Sequence, residues 1–137
     1  MVLLVPLLAL VLAAIFDFWN RQIPDSIPIA IVGWAVGTTA YGISSQGWIS
    51  LALGLGLGFS TGAALFWLGG FGGGDAKLVA ALGAMLGPRA LLAFLFYVAI
   101  VGGLLAAVAL LRGKRDLAYT PALALGLFVF LMIRGLR

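Results

Sequence analysis

The stretch Trp48–Leu68, WISLALGLGLGFSTGAALFWL, indicates the fold class of this chain, because it contains no charged side chain. A helix needs roughly 20 apolar residues to cross the hydrocarbon core of a membrane. Within the stretch, Gly54, Gly58 and Gly62 recur at four-residue spacing, which places them on one helix face. Such a face lets a neighbouring backbone approach closely, so we predict a membrane-spanning helix whose glycines serve packing rather than chemistry.

Further apolar runs lie on both sides of this stretch. A helix satisfies its own backbone hydrogen bonds in lipid, and no alternating strand pattern of ten residues is visible. We therefore expect an all-α, polytopic transmembrane helical bundle of about six helices that forms a single domain over residues 1–137. The other five predicted helices are Val2–Phe18, Ile27–Ile43, Ala76–Leu86, Ala90–Leu111 and Leu117–Ile133.

The composition supports a lipid environment and excludes several kinds of site. Of the 137 residues, 64% are hydrophobic and only 9% are charged, whereas a soluble domain carries far more charge on its surface. The net charge of +4 comes from bases that flank apolar runs, which favours lipid headgroups over nucleic acid as partner. Because the chain has no Cys and no His, thiol chemistry, the usual zinc sites and a histidine base are excluded.

The basic residues also predict an orientation, since Lys and Arg concentrate in cytoplasmic loops. With the N-terminus outside, five bases fall in inner loops and three in outer ones. We therefore expect a multi-pass protein of the inner (plasma) membrane, with loops 20–26, 69–75 and 112–116 on the cytoplasmic face. The inner bases are Arg21, Lys77, Arg112, Lys114 and Arg115, and the outer ones are Arg89, Arg134 and Arg137.

Two acids lie where a carboxylate is costly. Asp17 ends the first apolar run, and Asp75 begins the apolar helix that follows loop 69–75. A charged side chain within or at the edge of a span costs about 3 kcal/mol, so each acid suggests a function. The orientation places both at the cytoplasmic face, where we expect them to meet.

Two neighbouring carboxylates can share one proton, because like charges at close range do not both ionise easily. One then acts as a base on water while the other, protonated, donates to the carbonyl of a scissile peptide. The positive end of a helix dipole favours the ionised form of Asp75, and the negative end disfavours it at Asp17. Our hypothesis is that Asp75 is the base.

Other features near these acids have simpler interpretations. The run Gly69–Gly74, five glycines in six positions, permits either a flexible loop or close approach of another chain. It lacks the Lys-Ser/Thr of a phosphate loop. Asp25 suits a turn or a helix N-cap, and Asp116 partly neutralises a basic loop. Lys77 either stabilises the charge of Asp75 or, more simply, extends its ammonium group to the membrane interface.

Three sequence blocks resemble the type IV prepilin peptidase family. Gly72–Lys77, GGGDAK, looks like its GxGDxK block, and Asp17–Asp25, DFWNRQIPD, is similar to the block in which an aspartate precedes Ile/Leu-Pro-Asn/Asp by six residues. Tyr119–Gly126 resembles the small Pro-containing block that opens the last helix. The blocks and their helices cover nearly the whole chain.

The resemblance implies that Asp17 and Asp75 are catalytic and that the substrates are prepilin-like proteins, cleaved after a glycine at the cytoplasmic membrane face. We expect support for this pair from Gly72, Gly74, Lys77, Pro24 and Asp25. Longer members carry a cysteine-containing segment and methylate the new N-terminus. This chain is similar to the short Tad/Cpa type, so peptidase without methyltransferase activity is expected, and archaeal preflagellin peptidases are similar too.

Two other functions compete with this one. A small proton-coupled transporter also uses intramembrane carboxylates, but nearer the bilayer midplane. A non-catalytic helical subunit of a pilus assembly system would tolerate asparagine at Asp17 and Asp75. Two carboxylates are too few ligands for a metal site, so we expect no obligatory metal and no cofactor.

Overall fold

The computed structural model describes residues 4–20, 23–69, 72–113 and 120–135. These residues form five helical elements and no strand, which confirms the all-α prediction. The elements are α1 (Leu4–Asn20), α2 (Ser26–Ala40), α3 (Trp48–Trp67), α4 (Gly73–Leu111) and α5 (Thr120–Gly135).

The predicted count of six separate helices is not confirmed, because two predicted helices join without a loop to form α4. Its backbone leaves the helical conformation at Gly87, with φ 75° and ψ 169°, and Pro88 follows. Proline has no N–H and clashes with the preceding turn, while glycine tolerates positive φ, so this pair interrupts the helix. The break lies between Leu86 and Ala90, where the sequence predicted a boundary.

Gln46, in the segment between α2 and α3, binds the backbone at this break. Its Nε2 donates to the carbonyl oxygens of Ala84, at 3.1 Å, and Met85, at 2.5 Å. In an unbroken helix these carbonyls would accept from the N–H groups of residues 88 and 89, and residue 88 is a proline. The amide of Gln46 therefore replaces hydrogen bonds that the break removes.

The glycine face of α3 packs directly on the backbone of α4. A Cβ added to Gly58 would lie 2.5 Å from the carbonyl oxygen of Val79, and one added to Gly62 would lie 2.7 Å from that of Ala76. Gly54 meets Gly83 so closely that neither position has room for a Cβ. The prediction that these glycines serve packing is confirmed.

The first half of α4 is the centre of the molecule, with α2 and α3 against it. Every residue from Leu78 to Met85 is buried, so this part of α4 is enclosed on all its faces. The second half packs against α5, where the rings of Phe94 and Phe130 meet edge to face at 6.5 Å. Helix α1 packs mainly against α5 and also contacts α2.

The outer surface of the described residues is strongly apolar, as a membrane protein requires. Helices α3 and α4 are long and apolar enough to cross a membrane, while α2 and the Leu7–Phe16 part of α1 are apolar but shorter. Large side chains such as Phe59, Phe96 and Leu104 point outward. In water this surface would be unfavourable, whereas in lipid it is the expected one.

Candidate active site

Asp75 lies at the start of α4, in its first turn, and only 7% of it is exposed. Gly72 caps the helix in an extended conformation, and its carbonyl oxygen accepts the N–H of Ala76 at 3.1 Å. A Cβ added to Gly72 would lie 3.6 Å from Oδ2 of Asp75, so the carboxylate turns back toward the segment that precedes the helix. The positive end of the α4 dipole favours a negative charge at this position.

Asp17 lies in the last turn of α1. Its side chain is outside the described part of the structure, as are residues 21–22 and 70–71. The distance between the two carboxylates therefore stays a prediction. The segment that follows α1, however, is described from Ile23 onward, and it shows where this end of α1 leads.

That segment lies against the start of α4. Ile23 is half-buried beside Gly74, where an added Cβ would come within 3.0 Å of both Cβ and Cδ1 of Ile23. Real Cβ atoms rarely approach so closely, so glycine at position 74 is what permits the contact. Ile23, six residues after Asp17, is thus in contact with Gly74, the residue that precedes Asp75.

A second contact joins the same two segments. Nζ of Lys77 donates to Oδ1 of Asp25 at 2.7 Å, in an ion pair whose side chains are 57% and 66% exposed. Asp25 does stand at the N-cap position of α2, but its side chain makes no capping hydrogen bond there. The prediction that Asp25 stands at a turn or helix N-cap is confirmed in position, and its ion pair with Lys77 is a contact that the sequence did not predict.

The residues predicted to support the site are therefore brought together at one end of the molecule. Gly72, Gly74 and Lys77 lie at the start of α4, while Pro24 and Asp25 lead into α2. Pro24 is exposed, and its carbonyl oxygen accepts the N–H of Ile27 at 3.1 Å. This hydrogen bond closes the turn that leads from α1 into α2. Asp116 lies outside the described residues.

An apolar groove leads away from the ion pair, and the sequence did not predict it. It has a volume of about 540 Å³ and is formed by α2, α3 and α4, with Asp25 and Lys77 at one end. Gly33 and Ala80 keep it open, and the exposed ring of Phe59 forms part of its wall. A small residue such as Gly33 on an apolar helix was the only sequence signal, and it does not distinguish a groove from a packed interface.

Comparison with known proteins agrees with the blocks identified in the sequence. The chain is 32% identical over 123 residues to the prepilin leader peptidase/N-methyltransferase of Bacillus subtilis (strain 168), an alignment covering 85% of this chain. It spans about half the length of that relative, 49%. No solved structure matches the chain. Residues 4–108, which include both aspartate blocks, match the type IV leader peptidase family, and the chain belongs to that family.

Proposed function

We propose that this protein is a membrane aspartic endopeptidase that removes the leader peptide from prepilin-like proteins, with Asp17 and Asp75 as its catalytic pair. The observation that carries the proposal is the position of Asp75. This acid is buried at the start of α4. Gly74, just before it, and Lys77, two residues after it, both contact the segment that follows α1, the helix of Asp17. Family membership supplies the reaction class, because the matched relative is named a prepilin leader peptidase.

In the proposed mechanism the pair holds one proton between its two carboxyl groups. Asp75, beside the positive end of the α4 dipole, is the ionised member and removes a proton from water as that water attacks the scissile carbonyl carbon. Asp17, protonated, donates to the carbonyl oxygen. Collapse of the tetrahedral intermediate breaks the C–N bond: the proton held by Asp75 passes to the leaving amine, and one hydroxyl of the intermediate returns its proton to Asp17 as the new carboxyl group forms.

The burial of Asp75 suits this chemistry. A carboxylate with little access to bulk water interacts more strongly with a neighbouring proton donor than an exposed one does. The glycines around it leave room for a peptide backbone to approach, since Gly72 and Gly73 are exposed and carry no side chain. Among the described residues, Gly72 and Gly73 thus place no side chain in the path of a substrate that reaches the start of α4.

Location and substrate belong to the same proposal. We place the site near the cytoplasmic face of the inner membrane, on the distribution of Lys and Arg in the loops. The substrate would be a prepilin-like protein, as the name of the relative suggests. We expect peptidase activity without methyl transfer, and labelling of the cleaved product by a radioactive methyl donor would contradict that expectation.

The proton-coupled transporter is less well supported. Asp75 lies in the first turn of a helix of 39 residues, not near its middle. A carboxylate that relays protons across a membrane is expected closer to the bilayer centre. The position of Asp75 therefore favours a reaction at one membrane surface.

Co-expression with a prepilin-like substrate tests the proposal. We expect Asp17→Asn and Asp75→Asn each to lower the cleavage rate by at least about 100-fold, the contribution of a general acid or base. Asp116→Asn makes the same chemical change at an acid that is not part of the proposed pair and should cleave at the wild-type rate. Full cleavage by both Asp17→Asn and Asp75→Asn, at matched expression, would leave a structural subunit as the better interpretation.

A further inference from the structure

We propose that Asp25 and Lys77 are positioning residues. Their ion pair holds the segment that joins α1, the helix of Asp17, to α2 against the start of α4. The pair would thereby set the separation of the two aspartates. This inference rests on the proposed function for its catalytic meaning. Its structural content, an ion pair that controls how two segments meet, can be tested independently of any activity.

The contacts come from one face of α4. Gly74 and Lys77 are three residues apart, so they lie on the same side of the helix, and both meet the segment that joins α1 to α2. The side chain of Ile23 packs on Gly74, and the carboxylate of Asp25 forms an ion pair with Lys77. Asp75 lies between these two contacts in the sequence, so the face that holds the segment borders the proposed catalytic residue.

Lys77 does not face Asp75 directly. Residues two apart on a helix point to different sides, and here Asp75 is buried whereas Lys77 is more than half exposed. The ammonium group reaches Asp25 at 2.7 Å, across 52 residues of sequence. The contact made by Lys77 is therefore with the segment that joins α1 to α2, and it reaches Asp75 through the position of that segment in our proposal.

A contribution to the free energy of unfolding is not enough to explain the ion pair of Asp25 with Lys77. Exposed ion pairs contribute little to the free energy of unfolding, because water and salt screen them. A pair of this kind can still select one arrangement of two segments that also meet through the apolar contact of Ile23 on Gly74. Its effect should therefore appear in the geometry and the rate, and much less in the thermal stability.

Charge exchange tests the inference. Asp25→Lys and Lys77→Asp each place like charges together, and the double variant Asp25→Lys/Lys77→Asp restores an opposite-charge pair. We expect each single variant to lower kcat about fivefold or more with a small change in KM, and the double variant to return within about twofold of wild type. Arg89→Asp reverses an exposed charge beyond the break in α4 and is the matched control.

A distance measurement gives the readout that needs no catalysis. The chain has no cysteine, so Trp19→Cys and Gly73→Cys, both at exposed positions, can carry two nitroxide labels without background. We expect the label separation to lengthen or broaden with Lys77→Asp and to recover in the charge-exchanged double variant. Arg89→Asp should leave it unchanged.

Two results would overturn the inference. One is a label separation that does not respond to Lys77→Asp, and the other is a double variant no more active than the product of its two single effects. A wild-type protein that cleaves no prepilin-like substrate would instead contradict the proposed function. In that case the label separations alone would still decide whether the pair positions the two segments.

Discussion

At the scale of single residues, the absence of a side chain at Gly74 matters as much as the presence of the carboxylate at Asp75. Ile23 occupies the space that a Cβ at position 74 would need, at 3.0 Å from the Cβ of Ile23 itself. The flexible end of Ile23 could turn away, but its Cβ moves only with the backbone. A methyl group at position 74 therefore displaces the segment that follows α1.

The corresponding prediction concerns Gly74→Ala. We expect it to lower the rate of leader cleavage about tenfold, because misplacing a catalytic group by even a fraction of an ångström slows a reaction strongly. Adding Ile23→Ala removes the contacts of Cγ1 and Cδ1 but keeps that of Cβ, so it should recover only part of the loss. If Gly74→Ala cleaves as fast as wild type in a quantitative membrane assay, the contact does not matter for the site.

Gln46 is a second residue with a defined task, at the opposite end of the first half of α4. We expect Gln46→Leu to lower the free energy of unfolding by about 1–3 kcal/mol, because two buried carbonyl groups lose their donor. Thermal unfolding in detergent, followed by circular dichroism, measures the change. Ser45→Ala, at the exposed neighbouring position, should unfold at the wild-type temperature.

At the scale of elements, the pairing of α3 with α4 depends on the glycine face that the sequence shows. Four-residue spacing was enough to predict the packing role of Gly54, Gly58 and Gly62, because it follows from helix geometry. The number of separate helices was not predictable in the same way. The pair Gly87-Pro88 marks a break in any helix, but only tertiary contacts such as those of Gln46 let the two halves continue with no loop between them.

Two glycines on α3 provide a matched comparison. A Cβ at Gly58 would lie 2.5 Å from the carbonyl oxygen of Val79, whereas one at Gly56 would meet nothing within 4 Å. We expect Gly58→Ala to lower the free energy of unfolding by about 1–3 kcal/mol through overpacking. Gly56→Ala should be neutral or slightly stabilising, since alanine favours a helix. Equal unfolding temperatures for the two variants would show that the α3–α4 contact is looser than described.

At the scale of the whole molecule, the hydropathy pattern predicts a helical membrane protein. The two aspartate-containing sequence blocks predict which helix ends form the catalytic site. The ion pair of Asp25 with Lys77 was not predictable, because its partners are 52 residues apart and each has a simpler local interpretation. The groove between α2, α3 and α4 was missed for a related reason. A groove depends on how three helices diverge, and the periodicity of one helix carries no information about that.

Catalysis by a pair requires Asp17 and Asp75 to lie close together, and cysteine crosslinking in native membranes measures whether they do. The chain has no cysteine of its own, so Asp17→Cys/Asp75→Cys can be joined by a short bifunctional thiol reagent and detected by a shift in gel mobility. Phe66→Cys/Gly73→Cys, at two exposed positions in contact with each other, is the positive control, and Asp17→Cys/Arg89→Cys the negative one. We predict efficient crosslinking of the aspartate positions, whereas failure to crosslink them while the positive control reacts would contradict catalysis by this pair.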